Sequence, residues 1–176
     1  VERRDPVARP LLITLARRGP NPLGRLHALW TLDGLGALDA DTKFAALADP
    51  DPDPLVRAAA FRLCEHGLDA RQHAALIAQL ERAAGDPDES IRLQATLTAS
   101  ALAQPAAWPA LVRLARSGSD PLFHAAALTG LQDRELEFLR RLLAESHGRA
   151  PLGPDEGQLI GLTVHCVLEA ANPART

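Results

Sequence analysis

Leucine and alanine recur every three or four residues along most of the chain, with charged residues between them. This spacing places the apolar residues on one side of an α-helix. Valine, isoleucine and threonine, which are typical of strands, are sparse, so the pattern predicts an all-α protein. The apolar segments form two alternating sets: a first set at 7–18, 40–49, 70–84, 106–117 and 134–146, and a second set at 21–32, 53–64, 88–99, 120–131 and 155–170.

A helix start is repeated in the second set. Asn21, Asp53, Asp88 and Asp120 each precede a predicted helix, and proline follows three of the four. An Asn or Asp side chain at this position accepts a backbone N–H, and proline loses no bond at the first helical residue. We therefore expect these four residues to be helix N-caps.

A basic residue stands four positions after each predicted cap, and an alanine stands three positions later. The basic residues recur every 32 to 35 positions: Arg25, Arg57, Arg92 and His124. The alanines are Ala28, Ala60, Ala95 and Ala127. A recurring alanine predicts a close approach of a facing helix. Paired helices at this period predict an α-solenoid in one domain, 1–176, with five hairpins at about 7–36, 39–67, 70–102, 106–132 and 134–171.

Two copies resemble HEAT repeats: "DPDPLVRAAAFRL" (51–63) and "GDPDESIRLQATL" (85–97). The resemblance implies a right-handed superhelix of these hairpins. It also implies a structural ladder, in which an arginine bonds an aspartate of the same or the neighbouring repeat. The ladder residues would be Asp51, Arg57, Asp86 and Arg92. The first and fourth copies have Gly19 and Gly118 in place of the aspartate, so we expect them to lack this bond.

Composition and charge narrow the function. The net charge is −3, without the basic excess that follows a phosphate backbone, so we expect no nucleic-acid partner. No apolar run reaches the length of a membrane span, and we expect no membrane contact by this segment. Because the chain begins at Val1 without methionine, we expect it to be a piece of a longer protein.

Candidate chemistry is sparse. No two of the six histidines have the three- or four-residue spacing of a helical zinc site, and we predict no metal. Cys64 aligns with leucines of other copies and is predicted to be a core thiol, too distant from Cys166 for a disulfide. The sequence contains neither a phosphate-binding glycine loop nor a nucleophile motif, so we predict no catalytic residue, no cofactor and no enzymatic activity.

The remaining candidate for a functional site is a surface formed by the second helices. Positions two, five and nine after the basic residue alternate with the core positions. Exposed aromatic residues beside arginine are common anchors of interfaces. The candidate partner-binding residues are His27, Trp30, Arg62, His66, Gln94 and Leu97. For Trp30, packing on the first helix is an equally good interpretation, and Trp108 is predicted to be in the core.

Residues 24–63 resemble the HEAT segment of large planctomycete and verrucomicrobial proteins, in which a dehydrogenase-like β-propeller and a c-type cytochrome with a C-x-x-C-H motif flank helical repeats. The resemblance implies a non-catalytic scaffold that binds a protein partner or the flanking domains, in an extracytoplasmic (periplasmic) compartment. The alternative is a DNA-binding enzyme resembling the HEAT-like alkylpurine DNA glycosylases. The net charge and a predicted surface with Arg62 as its sole arginine disfavour it.

Overall fold

The computed structural model describes residues 7–48, 53–102, 104–118, 120–131, 133–146 and 153–170. Within these ranges the chain forms ten α-helices and no strand, which confirms the all-α fold class. The helices are α1 (Ala8–Arg18), α2 (Pro22–Gly34), α3 (Ala40–Ala48), α4 (Pro54–Leu63), α5 (Ala70–Ala83), α6 (Glu89–Ala101), α7 (Trp108–Ala115), α8 (Pro121–Thr129), α9 (Glu135–Ser146) and α10 (Pro154–Ala170). A 3-10 turn, Pro105–Ala107, leads into α7.

The four predicted N-caps are confirmed. The side-chain oxygens of Asn21, Asp53, Asp88 and Asp120 accept the backbone N–H two residues later, at 2.8 to 2.9 Å. These bonds satisfy donors that have no partner inside the helix. Helices α2, α4, α6 and α8 therefore start where the repeated motif predicts.

The core follows the predicted register. Ala28, Ala60, Ala95 and Ala127 are all buried, as expected for helices that pack closely. Trp108 is 7% exposed, which confirms its predicted core position. Helix α2 ends at Gly34, and Gly36 adopts a φ of 62°, a left-handed conformation that suits glycine after a helix.

The chain divides into two compact units, 1–79 and 80–176. In the first unit α1 packs on α2, α3 packs on α4, and α2 packs on α4. In the second unit α6 packs on α7 and α8, and α9 packs on α10. The single domain and the right-handed curvature of the stack stay predictions.

The repeat's arginine makes a contact that the sequence did not predict. Arg92 Nη1 donates to the backbone carbonyls of Asp86 and Pro87, at 2.8 and 3.2 Å. In the first copy Arg25 Nε donates to the carbonyl of Ala16 at 3.0 Å. Arg92 thus contacts the predicted ladder residue Asp86 through the backbone carbonyl of Asp86. Arg57 lies in the described first turns of α4, whereas Asp51 lies outside the described residues.

Steric crowding explains why glycine replaces aspartate in the first and fourth copies. A Cβ at Gly19 would lie 2.6 Å from the Leu15 carbonyl oxygen, and a Cβ at Gly118 would lie 2.2 Å from the Phe123 ring. Neither distance leaves room for a side chain. In the fourth copy His124 occupies the arginine position; it is 1% exposed, and no described group bonds its Nδ1.

Candidate protein-interaction surface

The predicted surface positions are mostly exposed. Five residues after the basic position, all four copies are exposed: Trp30, Arg62, Leu97 and Thr129. Nine residues after it, Gly34, His66, Ala101 and Asp133 are exposed as well. Two residues after the basic position, exposure differs between the copies: His27 is exposed, Gln94 is half-buried, and Ala59 and Ala126 are buried.

Those alanines, Ala59 and Ala126, correct the sequence interpretation, which placed them away from the core. They lie in the middle of helices α4 and α8, and each of these helices packs beside another second helix. Alanine is too short to extend beyond such a contact. The exposed surface formed by the second helices is therefore narrower than the sequence predicted.

Helix α2 carries the most apolar part of this surface. Leu23, His27, Trp30 and Gly34 follow an i, i+4, i+7, i+11 spacing and are all exposed, on the side opposite the buried Leu29. Trp30 is 40% exposed. A large share of the indole is therefore accessible, and the two interpretations of Trp30 stay predictions.

Helix α4, which packs beside α2, adds a second row. Leu55 and Arg62 are exposed and seven residues apart, so they lie on one side of the helix. No described residue forms an ion pair with Arg62. The first unit thus presents apolar side chains next to an accessible guanidinium, and we call Leu23, His27, Trp30, Leu55, Arg62 and His66 the Trp30 surface.

A buried lysine fixes one end of the Trp30 surface. Lys43 of α3 donates from Nζ to the backbone carbonyl of His66 at 2.7 Å, and its side chain is buried. Gly67, the next residue, has a φ of 71°, which permits the turn. The bond holds His66 in place while its imidazole remains exposed.

The second unit holds the other two candidates. Leu97 is exposed on α6, whereas Gln94 is half-buried and donates from Nε2 to Thr98 Oγ1 at 3.3 Å. Gln94 is therefore partly engaged within its own helix. Four of the six candidate residues lie in the first unit, and two lie in the second.

Sequence reasoning missed Leu23, Leu55 and Lys43. The two leucines each follow the cap and proline of a second helix, as does Leu122, and all three are exposed. That recurrence at a position opposite the core was a usable signal. Lys43 gave no such signal, because its acceptor is a backbone carbonyl distant in sequence.

The remaining groups with reactive chemistry are the cysteines and the potential metal ligands. Both cysteines are free, and burial raises the pKa of the Cys64 thiol to about 12, so it stays protonated and unreactive. No cluster of three metal-ligating side chains occurs among the described residues. Helices long and apolar enough to cross a membrane are also absent from the described part of the chain.

Comparison with known proteins agrees with this architecture. The family described as HEAT repeats matches residues 42–132, more than half of the chain. No curated protein and no solved structure matches the sequence of this chain. The match covers helices α3 to α8, in which the capped second helices and the buried alanines recur. The chain therefore belongs to the HEAT-repeat family.

Proposed function

We propose that this chain is a non-catalytic scaffold module and that the Trp30 surface binds a protein partner. HEAT repeats often mediate protein interactions, and the observation that carries the proposal is the exposed indole of Trp30 among apolar neighbours. Exposed tryptophan beside arginine is the composition of interface hot spots. A positive rim at Arg62 favours a partner segment with apolar and acidic side chains.

The partner in this proposal is a flanking domain of a larger extracytoplasmic redox protein. The resemblance of residues 24–63 to the HEAT segment of proteins with a β-propeller and a c-type cytochrome supports this context. No C-x-x-C-H motif occurs in the chain, so electron transfer would belong to the neighbouring domains. The reading frame on either side of this chain tests the context directly, since it would encode a propeller, a haem-binding motif and an export signal.

Binding is tested with those neighbouring segments, expressed separately and titrated against this chain. Trp30→Ala should weaken binding by about 30-fold, the effect of losing an anchor residue. Leu136→Ala is a matched control, because Leu136 is also exposed but lies on α9. Equal affinity of the Trp30→Ala and Leu136→Ala variants would refute the role of the Trp30 surface.

Tryptophan fluorescence supplies an independent measurement. The chain has two tryptophans, and Trp108 is buried, so Trp108→Phe leaves Trp30 as the only emitter. A partner on the Trp30 surface should shift its emission to shorter wavelength and protect it from quenching by acrylamide. Binding without either change would place the partner elsewhere.

A further inference from the structure

A cavity in the second unit is lined mainly by arginine, and we call it the arginine cavity. Its volume is about 510 Å³, and its lining comes from α7 and α9, which pack on each other. The described lining residues are Pro109, Arg113, Arg116, Arg141 and Glu145. Along α7 the first three stand at i, i+4 and i+7, and on α9 the other two stand at i and i+4, so each set lies on one side of its helix. Ligand pockets have volumes of about 300–1,000 Å³, so the cavity has room for a small molecule.

Two of these arginines form exposed ion pairs. Arg113 Nη2 lies 3.0 Å from Glu81 Oε1, and Arg141 Nε donates to Glu145 Oε1 at 2.7 Å. The side chains of Arg113 and Arg141 are 54% and 46% exposed. Because exposed ion pairs contribute little to stability, a negatively charged ligand can compete with these two carboxylates.

The two pairs use only part of each guanidinium, which has five N–H donors. Arg141 engages its Nε, and no group in the described part of the chain bonds its two terminal nitrogens. Arg113 engages its Nη2, and its Nε and Nη1 have no bond to a described residue. Both side chains therefore retain donors for the oxygens of a ligand.

Glu145 shows that a carboxylate can be held inside this cavity by more than one arginine. It accepts from Arg141 and also lies 3.9 Å from Arg116 Nη1. Arg116 is fixed separately, because its Nη2 pairs with Glu156 and donates to Ser146 Oγ at 2.8 Å. A cation is favourable at the C-terminal end of a helix, which accounts for Arg116 after α7 but not for Arg141 in the middle of α9.

A phosphate group matches the number and the charge of these arginines. The described lining carries three guanidiniums and one carboxylate, an excess of two positive charges within the cavity, and Glu81 and Glu156 offset this charge from outside the lining. A phosphate monoester has a charge of about −1.5 to −2 at pH 7 and three acceptor oxygens. A carboxylate has a single charge and two oxygens. The planar guanidinium of arginine binds phosphate oxygens through paired N–H bonds.

We propose that the arginine cavity binds a small ligand with a phosphate group, which Arg113 and Arg141 contact and Arg116 attracts. The phosphate accepts from the remaining donors of Arg113 and Arg141 and competes with Glu145 for Arg141. The more buried pair of Arg116 with Glu156 stays in place. All described lining residues belong to the second unit and the Trp30 surface belongs to the first, so this proposal does not rest on the proposed function.

An NMR titration with inorganic phosphate tests the proposal. Phosphate is added to the isotope-labelled chain at constant ionic strength, with sodium chloride as the balancing salt. The Nε–H signals of Arg113, Arg116 and Arg141 should shift and reach saturation, which gives a dissociation constant. Glycerol phosphate is titrated in the same way. Tighter binding of glycerol phosphate would identify a phosphate ester as the ligand, whereas equal affinities would identify the free anion.

Three variants locate the binding. Arg141→Gln should weaken phosphate binding about tenfold or more, because it removes hydrogen bonds between charged groups. Arg140→Gln is the matched control, since Arg140 is exposed on the same helix and is not a lining residue, and it should bind phosphate like the wild type. Glu145→Gln removes the competing carboxylate and should strengthen binding about threefold or more. Circular dichroism confirms that each variant is folded.

Three results would overturn the proposal. One is a wild-type chain whose arginine signals do not saturate with phosphate. Another is an equal loss of affinity in Arg140→Gln and Arg141→Gln, which would indicate a general attraction to basic residues of α9. The third is acetate binding as tightly as phosphate at the same ionic strength, which would identify a carboxylate site. Trp30→Ala should bind phosphate like the wild type, which separates this result from the proposed function.

Discussion

Replacing Glu156 by alanine should weaken the attachment of α10 to the rest of the second unit. The Glu156 carboxylate pairs with Arg116 Nη2 at the end of α7 and accepts the Ser146 hydroxyl of α9 at 2.6 Å. Ser146 Oγ in turn accepts a hydrogen bond from Arg116 Nη2 at 2.8 Å. One carboxylate therefore joins α10 to two other helices.

The expected loss follows from the burial of the pair. The Arg116 and Glu156 side chains are 18% and 14% exposed. Breaking a fully buried ion pair costs about 3–5 kcal/mol, because the remaining charge is left unpaired, whereas an exposed pair contributes about 0–1 kcal/mol. Glu145 stays 3.9 Å from Arg116 Nη1 and retains part of the attraction. We expect Glu156→Ala to lower the free energy of unfolding by about 2–3 kcal/mol.

Urea unfolding followed by circular dichroism measures this loss, which should lower the melting temperature by about 5–10 °C. The control is Glu137→Ala, which breaks the exposed Arg134–Glu137 pair on α9 and should cost less than about 0.5 kcal/mol. Hydrogen exchange should also become faster in α10. If Glu156→Ala costs no more than Glu137→Ala, the buried ion pair does not hold α10.

Two further predictions concern the fourth copy of the repeat. Gly118→Ala should cost about 1–3 kcal/mol of unfolding free energy, because its Cβ would overlap the buried Phe123 ring. The control is Gly157→Ala, which should be neutral or slightly stabilising, because a Cβ at this position of α10 would meet no neighbouring atom. Equal effects of the two substitutions in urea unfolding would contradict this reasoning. Burial lowers the pKa of His124 below 6.5, although Asp155 partly opposes the shift, so the unfolded chain binds the proton more readily. The contribution of neutral His124 to the free energy of unfolding should therefore be fully present above pH 6.5 and decrease as the pH falls below 6.5. In unfolding experiments at several pH values, His124→Leu should reduce this pH dependence. An unchanged slope of unfolding free energy against pH would exclude His124 as the cause.

The sequence predicts those parts of the fold that depend on neighbouring residues. Asp53 caps α4 because its carboxylate reaches the N–H of Leu55, two residues away, at 2.9 Å. Such a contact follows from residue type and spacing alone. The buried Ala60 is equally predictable, since helical periodicity fixes its side and the repeat shows that only a small residue is used there.

Contacts with the backbone could not be predicted in the same way. Arg25 bonds the carbonyl of Ala16, and Lys43 bonds the carbonyl of His66. Every residue carries a carbonyl, so the sequence does not mark which one is the acceptor. Gly118 illustrates a related difficulty: it stands in the aspartate position because Phe123 fills that space, and this is visible only once the helices are packed.

Trp30 shows why the fold leaves the binding surface undetermined. The same position is occupied by Arg62, Leu97 and Thr129 in the other copies, and all four residues are exposed. A position that accepts a cation, an aliphatic chain, a hydroxyl and an indole is not constrained by packing between helices. The repeat therefore dictates where this side chain points but not its identity. Packing does not require an indole there, so the role of Trp30 has to be established by binding experiments and not from the fold.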